Sequence, residues 1–243
     1  MTQPSRRLDR ARTNVFARRF LAAATLLAMG PLGVRAEPST AAAVAAAPEA
    51  PAAEAQPIVL PAPKSFAAAV KLVEDAAGVK GGQIDSEVKP IPLSEGRAFA
   101  VDTRTAERLL AGSHTTFRKA GVYLFRYERS FGLAGEKDLV GLLATADPNV
   151  VIRRIGTAGP KRGVTSEQIV AWLSTLERDE AFELYEIGAD YVAGRFQRQP
   201  KDPEKIARRA AEIAPDLVAG HSNPIAGLAD LIGKHRTLYL IWE

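Results

Sequence analysis

The chain has no cysteine and only three histidines and two tryptophans in 243 residues. Without cysteine it forms no disulfide, offers no thiolate nucleophile and builds no cysteine-ligated zinc site. The fold must therefore rest on its hydrophobic core. His114, His221 and His235 are not spaced like a zinc-binding pair, so neither a metal nor a cofactor is expected. The Gly-x-Ser-x-Gly elbow of a serine hydrolase is missing. The glycines between Gly78 and Gly82 lack the Gly-Lys-Ser/Thr ending of a phosphate loop. Long apolar runs are also scarce. The uncharged stretch from Phe20 to Leu32 has 13 residues, short of the roughly 20 that a spanning helix needs.

That stretch follows Arg6, Arg7, Arg10, Arg12, Arg18 and Arg19 and precedes Val34-Arg35-Ala36. A basic leader, a short apolar run and a small-residue cleavage site form an export signal, with cleavage expected after Ala36. Arg18-Arg19-Phe20-Leu21 fits a twin-arginine signal, but the general secretory route stays open. The expected location is periplasmic or secreted, with no stable membrane insertion after cleavage. The leader also explains the basic balance. The whole chain has 32 basic and 28 acidic residues, and seven arginines and one acid lie in residues 1–36. The remainder has 25 basic and 27 acidic residues, a formal net charge of −2. That gives no basic footprint for nucleic acid.

Residues 37–65 contain eleven alanines and six prolines. With almost no large apolar side chains, they should form a disordered linker. The globular domain is expected over residues 66–243. Ser65 and Gly78 bracket a helix whose inward face is Phe66, Ala69, Val70, Val73 and Ala77. A short strand over Arg97–Val101 and a helix over Thr103–Ala111, stopped by Gly112, should follow. Val122–Phe125 and Leu139–Leu143 are short apolar runs of strand type. Asp147-Pro148, Asp202-Pro203 and Asn223-Pro224 each start a helix, the last ending at Gly233. Thr165 and Gln168 make a capping box for a helix that should bury Ile169, Trp172, Leu173 and Leu176. Phe182–Ile187 and Tyr191–Phe196 can pair only as an antiparallel hairpin across so short a turn. Leu238–Trp242 closes the chain as a strand.

These elements predict an α+β fold with a mixed or antiparallel sheet and helix pairs. An offset of 55 residues superposes Asp147-Pro148 on Asp202-Pro203 and the strand at Phe182 on the one at Thr237. It suggests two strand–helix–helix–strand units.

From about Val122 onward the chain resembles an uncharacterised bacterial family, domain of unknown function 4253. The likeness rests on Gly156-Thr157, Ala171-Trp172-Leu173, Phe182-Glu183-Leu184 and Gly188-Ala189-Asp190-Tyr191. It continues through Pro200, Pro215-Asp216-Leu217-Val218 and the closing Leu238 to Glu243. Ala214 stands where the family pattern has a cysteine, and Ile241-Trp242-Glu243 replaces two tryptophans and an aspartate. The resemblance implies a fold and a boundary, and no activity.

The candidate site residues are Asp216, His221 and Glu243, with Asp190 and His235 also weighed. Asp216 follows Pro215 at a helix end, and His221 comes five residues later. A carboxylate beside an imidazole can serve as base and orienter. The structural alternative is that Asp216 binds its own turn and His221 is an exposed loop residue. Trp172 and Trp242 lie in apolar patterns and should be core. The expected function is a non-catalytic binding or interaction module of the bacterial cell envelope, with a protein partner. The alternative is a hydrolytic enzyme using Asp216, His221 and Glu243.

Overall fold

The computed structural model describes residues 56–130, 135–218 and 223–242. The export signal over 1–36, the linker up to residue 55, His221 and Glu243 lie outside the described residues.

Helix α1 (Phe66–Ala77) is capped by the Ser65 hydroxyl and closed by Gly78 at φ +67°. Strand β1 (Gly96–Val101) leads into α2 (Thr103–Lys119), capped by Asp102. Strands β2 (Tyr123–Glu128) and β3 (Asp138–Leu143) follow, then α3 (Pro148–Ile155) and α4 (Ser166–Asp179). The hairpin β4 (Phe182–Ile187) and β5 (Tyr191–Phe196) precedes α5 (Pro203–Ile213), α6 (Pro224–His235) and β6 (Thr237–Ile241). The strands form one sheet in the order β1-β3-β2-β4-β5-β6. Its pairings are antiparallel except β2 with β4, so the sheet is mixed and the fold is α+β.

Side chains alternate across a strand, and β2 shows it directly. Leu124 packs with Ala69, Val73, Leu109, Phe117, Phe99 and Val140 under α1 and α2. Tyr123 and Phe125 point the other way, into a core with Ile152, Leu173, Leu184, Ile206 and Trp242. The sheet is thus covered on both faces around β2. This explains why its sequence reads as a continuous apolar run rather than an alternation.

The capping box is present, with Thr165 and Gln168 each bonding the other's backbone N–H. The 55-residue offset has a counterpart in element order, since β3-α3-α4-β4 and β5-α5-α6-β6 both run strand, helix, helix, strand. The strands are placed differently. β5 and β6 are neighbours, whereas β3 and β4 flank β2.

Several boundaries differ from the sequence expectation. Helix α2 runs through Gly112 to Lys119. A Cβ on Gly112 would lie 2.2 Å from the Ile58 carbonyl oxygen. The glycine therefore admits a crossing chain instead of ending the helix. That chain comes from the expected linker. Ile58 N–H donates to the Arg108 carbonyl at 2.9 Å, and Leu60 N–H donates to Ser113 Oγ at 3.0 Å. Ser113 Oγ in turn donates to the Ile58 carbonyl at 2.7 Å. Ile58 and Leu60 pack on the α1–α2 core, so the packed chain begins before Phe66. Helix α6 passes Gly233 to His235, and Arg236 takes the left-handed position at φ +53°. Asn223 precedes it without a side-chain capping bond.

Candidate functional site

Of the three candidate residues, only Asp216 lies among the described residues. It sits in the single turn Pro215–Leu217 that follows α5. Its carboxylate is held by Arg162, whose Nε donates to Oδ1 at 3.0 Å and whose Nη2 also contacts Oδ1. Arg162 belongs to another single turn, Pro160–Arg162, before α4. The pair joins two surface turns. Nearby, Trp242 is 2% exposed and its Nε1 donates to the Ile213 carbonyl at 2.7 Å. Trp242 is core, as expected. Trp172 is only half-buried. Its Nε1 donates to the Arg209 carbonyl at 3.1 Å, and the Arg209 guanidinium lies over its ring. It fastens α4 to α5 at the edge of the core. His235 is exposed at the end of α6, and the Asp190 carbonyl accepts from Trp242 N–H.

Two clusters that the sequence reading did not single out hold the buried charged groups among the described residues. The first lies where β2, β3 and β4 meet. Arg126 is 1% exposed, Asp138 0% and Glu186 1%. Arg126 Nη1 donates to Glu186 Oε1 at 3.2 Å, and Arg129 Nε to Glu186 Oε2 at 3.2 Å. Asp138 Oδ1 accepts from Ser130 N–H at 2.8 Å, from Ser130 Oγ at 2.6 Å and from Thr103 Oγ1 at 3.2 Å. Arg126 Nε and Asp138 Oδ2 are 3.2 Å apart but off the hydrogen-bond axis, so that contact is ionic. Two arginines face these two buried acids, and Arg126 Nη2 also lies 3.8 Å from the exposed Glu107 carboxylate. Such a set adds little net stability, because desolvation offsets most of the attraction.

The second cluster borders a cleft. His114 is buried on the inner face of α2. Its Nδ1 meets the Leu124 carbonyl, and its ring stands edge-on to Tyr123 at 5.0 Å. Its Nε2 is 3.3 Å from Glu183 Oε1, within ion-pair range but outside hydrogen-bond alignment. Arg118, one turn along α2, donates to the same oxygen at 3.4 Å. Gln197 Nε2 donates to Glu183 Oε2 at 2.6 Å. Both oxygens of Glu183 are thus engaged. The adjacent His114 ring, ahead of Arg118, holds its carboxyl below the ordinary glutamate range, against the opposing effect of burial.

The cleft itself has a volume of about 310 Å³ and lies where α4 ends and β4 begins. Arg118, Glu177, Phe182, Glu183, Gln197 and Arg198 line it. Glu177 is on the last turns of α4. Burial pushes its carboxyl above the ordinary range, and no described residue donates a hydrogen bond to it. Arg198 is exposed just past β5, and no described acid pairs with it. The cleft contains no hydroxyl or thiol nucleophile. Among the described residues no group of three His, Asp or Glu side chains converges as a metal ion would require. No helix among them is long and apolar enough to cross a membrane.

Local signals for this site exist but are weak. Glu183 and Glu186 interrupt an apolar strand, and His114 falls on the inward stripe of α2. Nothing local links residue 114 to residue 183.

No curated protein and no solved structure matches the chain. A family model described as Domain of unknown function (DUF4253) matches residues 139–243. Glu177, Glu183, Gln197 and Arg198 lie inside the match, while His114 and Arg118 lie before it. The C-terminal part of the chain, from β3 onward, thus matches the family of unknown function that its sequence resembles.

Proposed function

We propose that the protein is an exported, non-catalytic binding or interaction module of the bacterial cell envelope, and that it engages its partner at the α4–β4 cleft. The observation that carries this reading is the division of labour in the cleft. Glu183 has both oxygens engaged and its proton affinity lowered, which makes it a poor general base at neutral pH. Beside it, Arg198 and Glu177 present charged groups that make no hydrogen bond to a described residue. A lining of fixed, preorganised charge with no hydroxyl or thiol nucleophile suits recognition better than bond cleavage. The basic leader and the Ala/Pro-rich segment support export and tethering. A mobile tether would let the module search for its partner. The hydrolase alternative gains no support from Asp216, whose carboxylate is bound by Arg162.

The test is a pull-down from envelope extract, run with the parent chain and with Arg198→Glu side by side. The parent should retain a discrete species that Arg198→Glu loses. Equal retention by both would contradict the cleft as the binding site. Asp216→Asn should retain the species as the parent does.

A further inference from the structure

We infer that the groove between α1 and α2 is a peptide-recognition site with residues 56–61 as its releasable occupant. Its partner is an extended protein segment of the same pattern, two apolar residues two positions apart and flanked by prolines. The groove is separate from the α4–β4 cleft and lies before residue 139, where the family match begins.

Alternation along the segment carries it. In an extended chain every second residue turns its N–H and C=O to the same edge. Gln56, Ile58 and Leu60 turn theirs to α2. The Gln56 carbonyl accepts from Arg108 Nε at 2.7 Å, and Ile58 N–H donates to the Arg108 carbonyl at 2.9 Å. The Ser113 hydroxyl donates to the Ile58 carbonyl at 2.7 Å and accepts from Leu60 N–H at 3.0 Å. A fully buried serine thus spends its one proton and a lone pair on a single segment. Gly112 clears the path, since a Cβ there would lie 2.2 Å from the Ile58 carbonyl oxygen. Glycine weakens a helix interior, so the gap serves the crossing chain rather than α2. Side chains follow the same period. Ile58 and Leu60 pack on the α1–α2 core, whereas Val59 between them is 74% exposed. Main-chain bonds along one edge, with alternate side chains in apolar contact, are how domains bind extended peptides.

The prolines fit a segment that docks singly and redocks. Pro57 and Pro61 occupy positions whose N–H would face away from α2, so no bond to the groove is lost. They also leave the outer edge short of donors, which stops a further strand from adding there. Both prolines hold the released segment near an extended conformation, which lowers the entropy lost on docking. The segment sits on the core without forming it. Ala69, Val73, Leu109 and Phe117 are fully buried, while Ile58 and Leu60 are only partly so. A short link over 61–65 joins it to α1. Such a link gives an effective concentration on the order of millimolar, so the segment outcompetes a free peptide until it is displaced.

The test opens the groove in the full chain with Ile58→Ser/Leu60→Ser. A capped peptide with the sequence of residues 56–62 is then titrated in, followed by NMR at the Gly112 and Ser113 amides. The peptide should shift both amides saturably in the opened chain. It should bind the parent at least about a hundredfold more weakly, because the parent's own segment competes. N-methylation at the peptide's counterpart of Leu60 removes the donor to Ser113 and should weaken binding by about tenfold or more. N-methylation at the counterpart of Val59 should change it by no more than about threefold. Gly112→Ala in the opened chain should abolish the Ser113 shift. No saturable shift in the opened chain, or equal tolerance of the two N-methyl groups, overturns the proposal. Hydrogen exchange in the parent needs no substitution and decides the case even where the opened chain does not fold. The Ile58 and Leu60 amides should exchange at least about a hundredfold faster than the slowest amides of β2 and β3. Exchange at the same rate would make the segment part of the core and overturn its release. Sedimentation of the parent as a dimer at the titration concentration would put a second copy's segment in the groove and overturn the partner assigned to it. None of these outcomes bears on Arg198-dependent capture at the cleft.

Discussion

Glu183 and Glu177 show how neighbouring carboxyls in one cleft can respond to pH in opposite senses. Folding lowers the proton affinity of Glu183, so its contribution is present above its unfolded value of about 4.3 and is lost as pH falls toward the lowered folded value. Folding raises that of Glu177, so its contribution is present below about 4.3 and is lost as pH rises through the raised value. Glu183→Gln should therefore destabilise the protein at neutral pH and have little effect well below about pH 4. Chemical denaturation of parent and variant across pH checks this, and a stability difference independent of pH would contradict it. The tryptophans separate in the same way by burial. Trp242→Ala removes a fully buried ring and should cost roughly 3–5 kcal/mol. Trp172→Ala removes a half-buried one and should cost clearly less in the same urea melts. Equal losses would show that Trp172 is core, as its helical stripe alone suggests. The stripe marks direction toward the core but not how much of an indole the neighbouring helix leaves uncovered.

Helix α2 shows where element-level reading of the sequence succeeds and where it stops. Its start at Asp102, the Thr165 capping box and the β4–β5 hairpin are legible because each depends on residues within a few positions. Its end is not. Gly112 as a helix stop and Gly112 as a gap for a crossing chain look identical in sequence, and the chain that crosses comes from 54 residues earlier. This gives a sign test. In an exposed helix interior, Gly→Ala stabilises by about 1 kcal/mol. In the parent chain Gly112→Ala should instead destabilise, because the new Cβ meets the Ile58 carbonyl at 2.2 Å. In a chain beginning at residue 64, which lacks the crossing segment, the same substitution should stabilise. Thermal melts of the four proteins decide it. A stabilising effect in both backgrounds would show that residues 56–63 do not hold their place on α2.

At the scale of the whole molecule, the α+β class was readable from element types, but the strand order was not. The parallel β2–β4 pairing places residues about 60 positions apart in contact, as Arg126 and Glu186 show. The cleft is equally non-local, with His114 and Arg118 from α2 meeting Glu183 and Gln197 from the hairpin. Asp216 and His221, close in sequence, were the natural candidates for a reader limited to spacing. The family match begins at residue 139, yet β2 lies between β3 and β4 in the sheet. A fragment of residues 139–243 would leave that central place empty and expose both flanking strand edges. It should give no cooperative melt, whereas residues 56–243 should melt in one transition. A cooperative transition for the fragment would show that β3 and β4 close on each other without β2.

The central claim is that the α4–β4 cleft is where the protein meets its partner, and crosslinking from inside the cleft tests it most directly. A photo-crosslinking residue replaces Ala181, an exposed member of the lining, in the full chain produced in cells. Ala226, exposed on α6, serves as the control position. The account predicts a discrete adduct from position 181 that Arg198→Glu abolishes and that position 226 does not give. No adduct at 181, or the same adducts from 181 and 226, would contradict it.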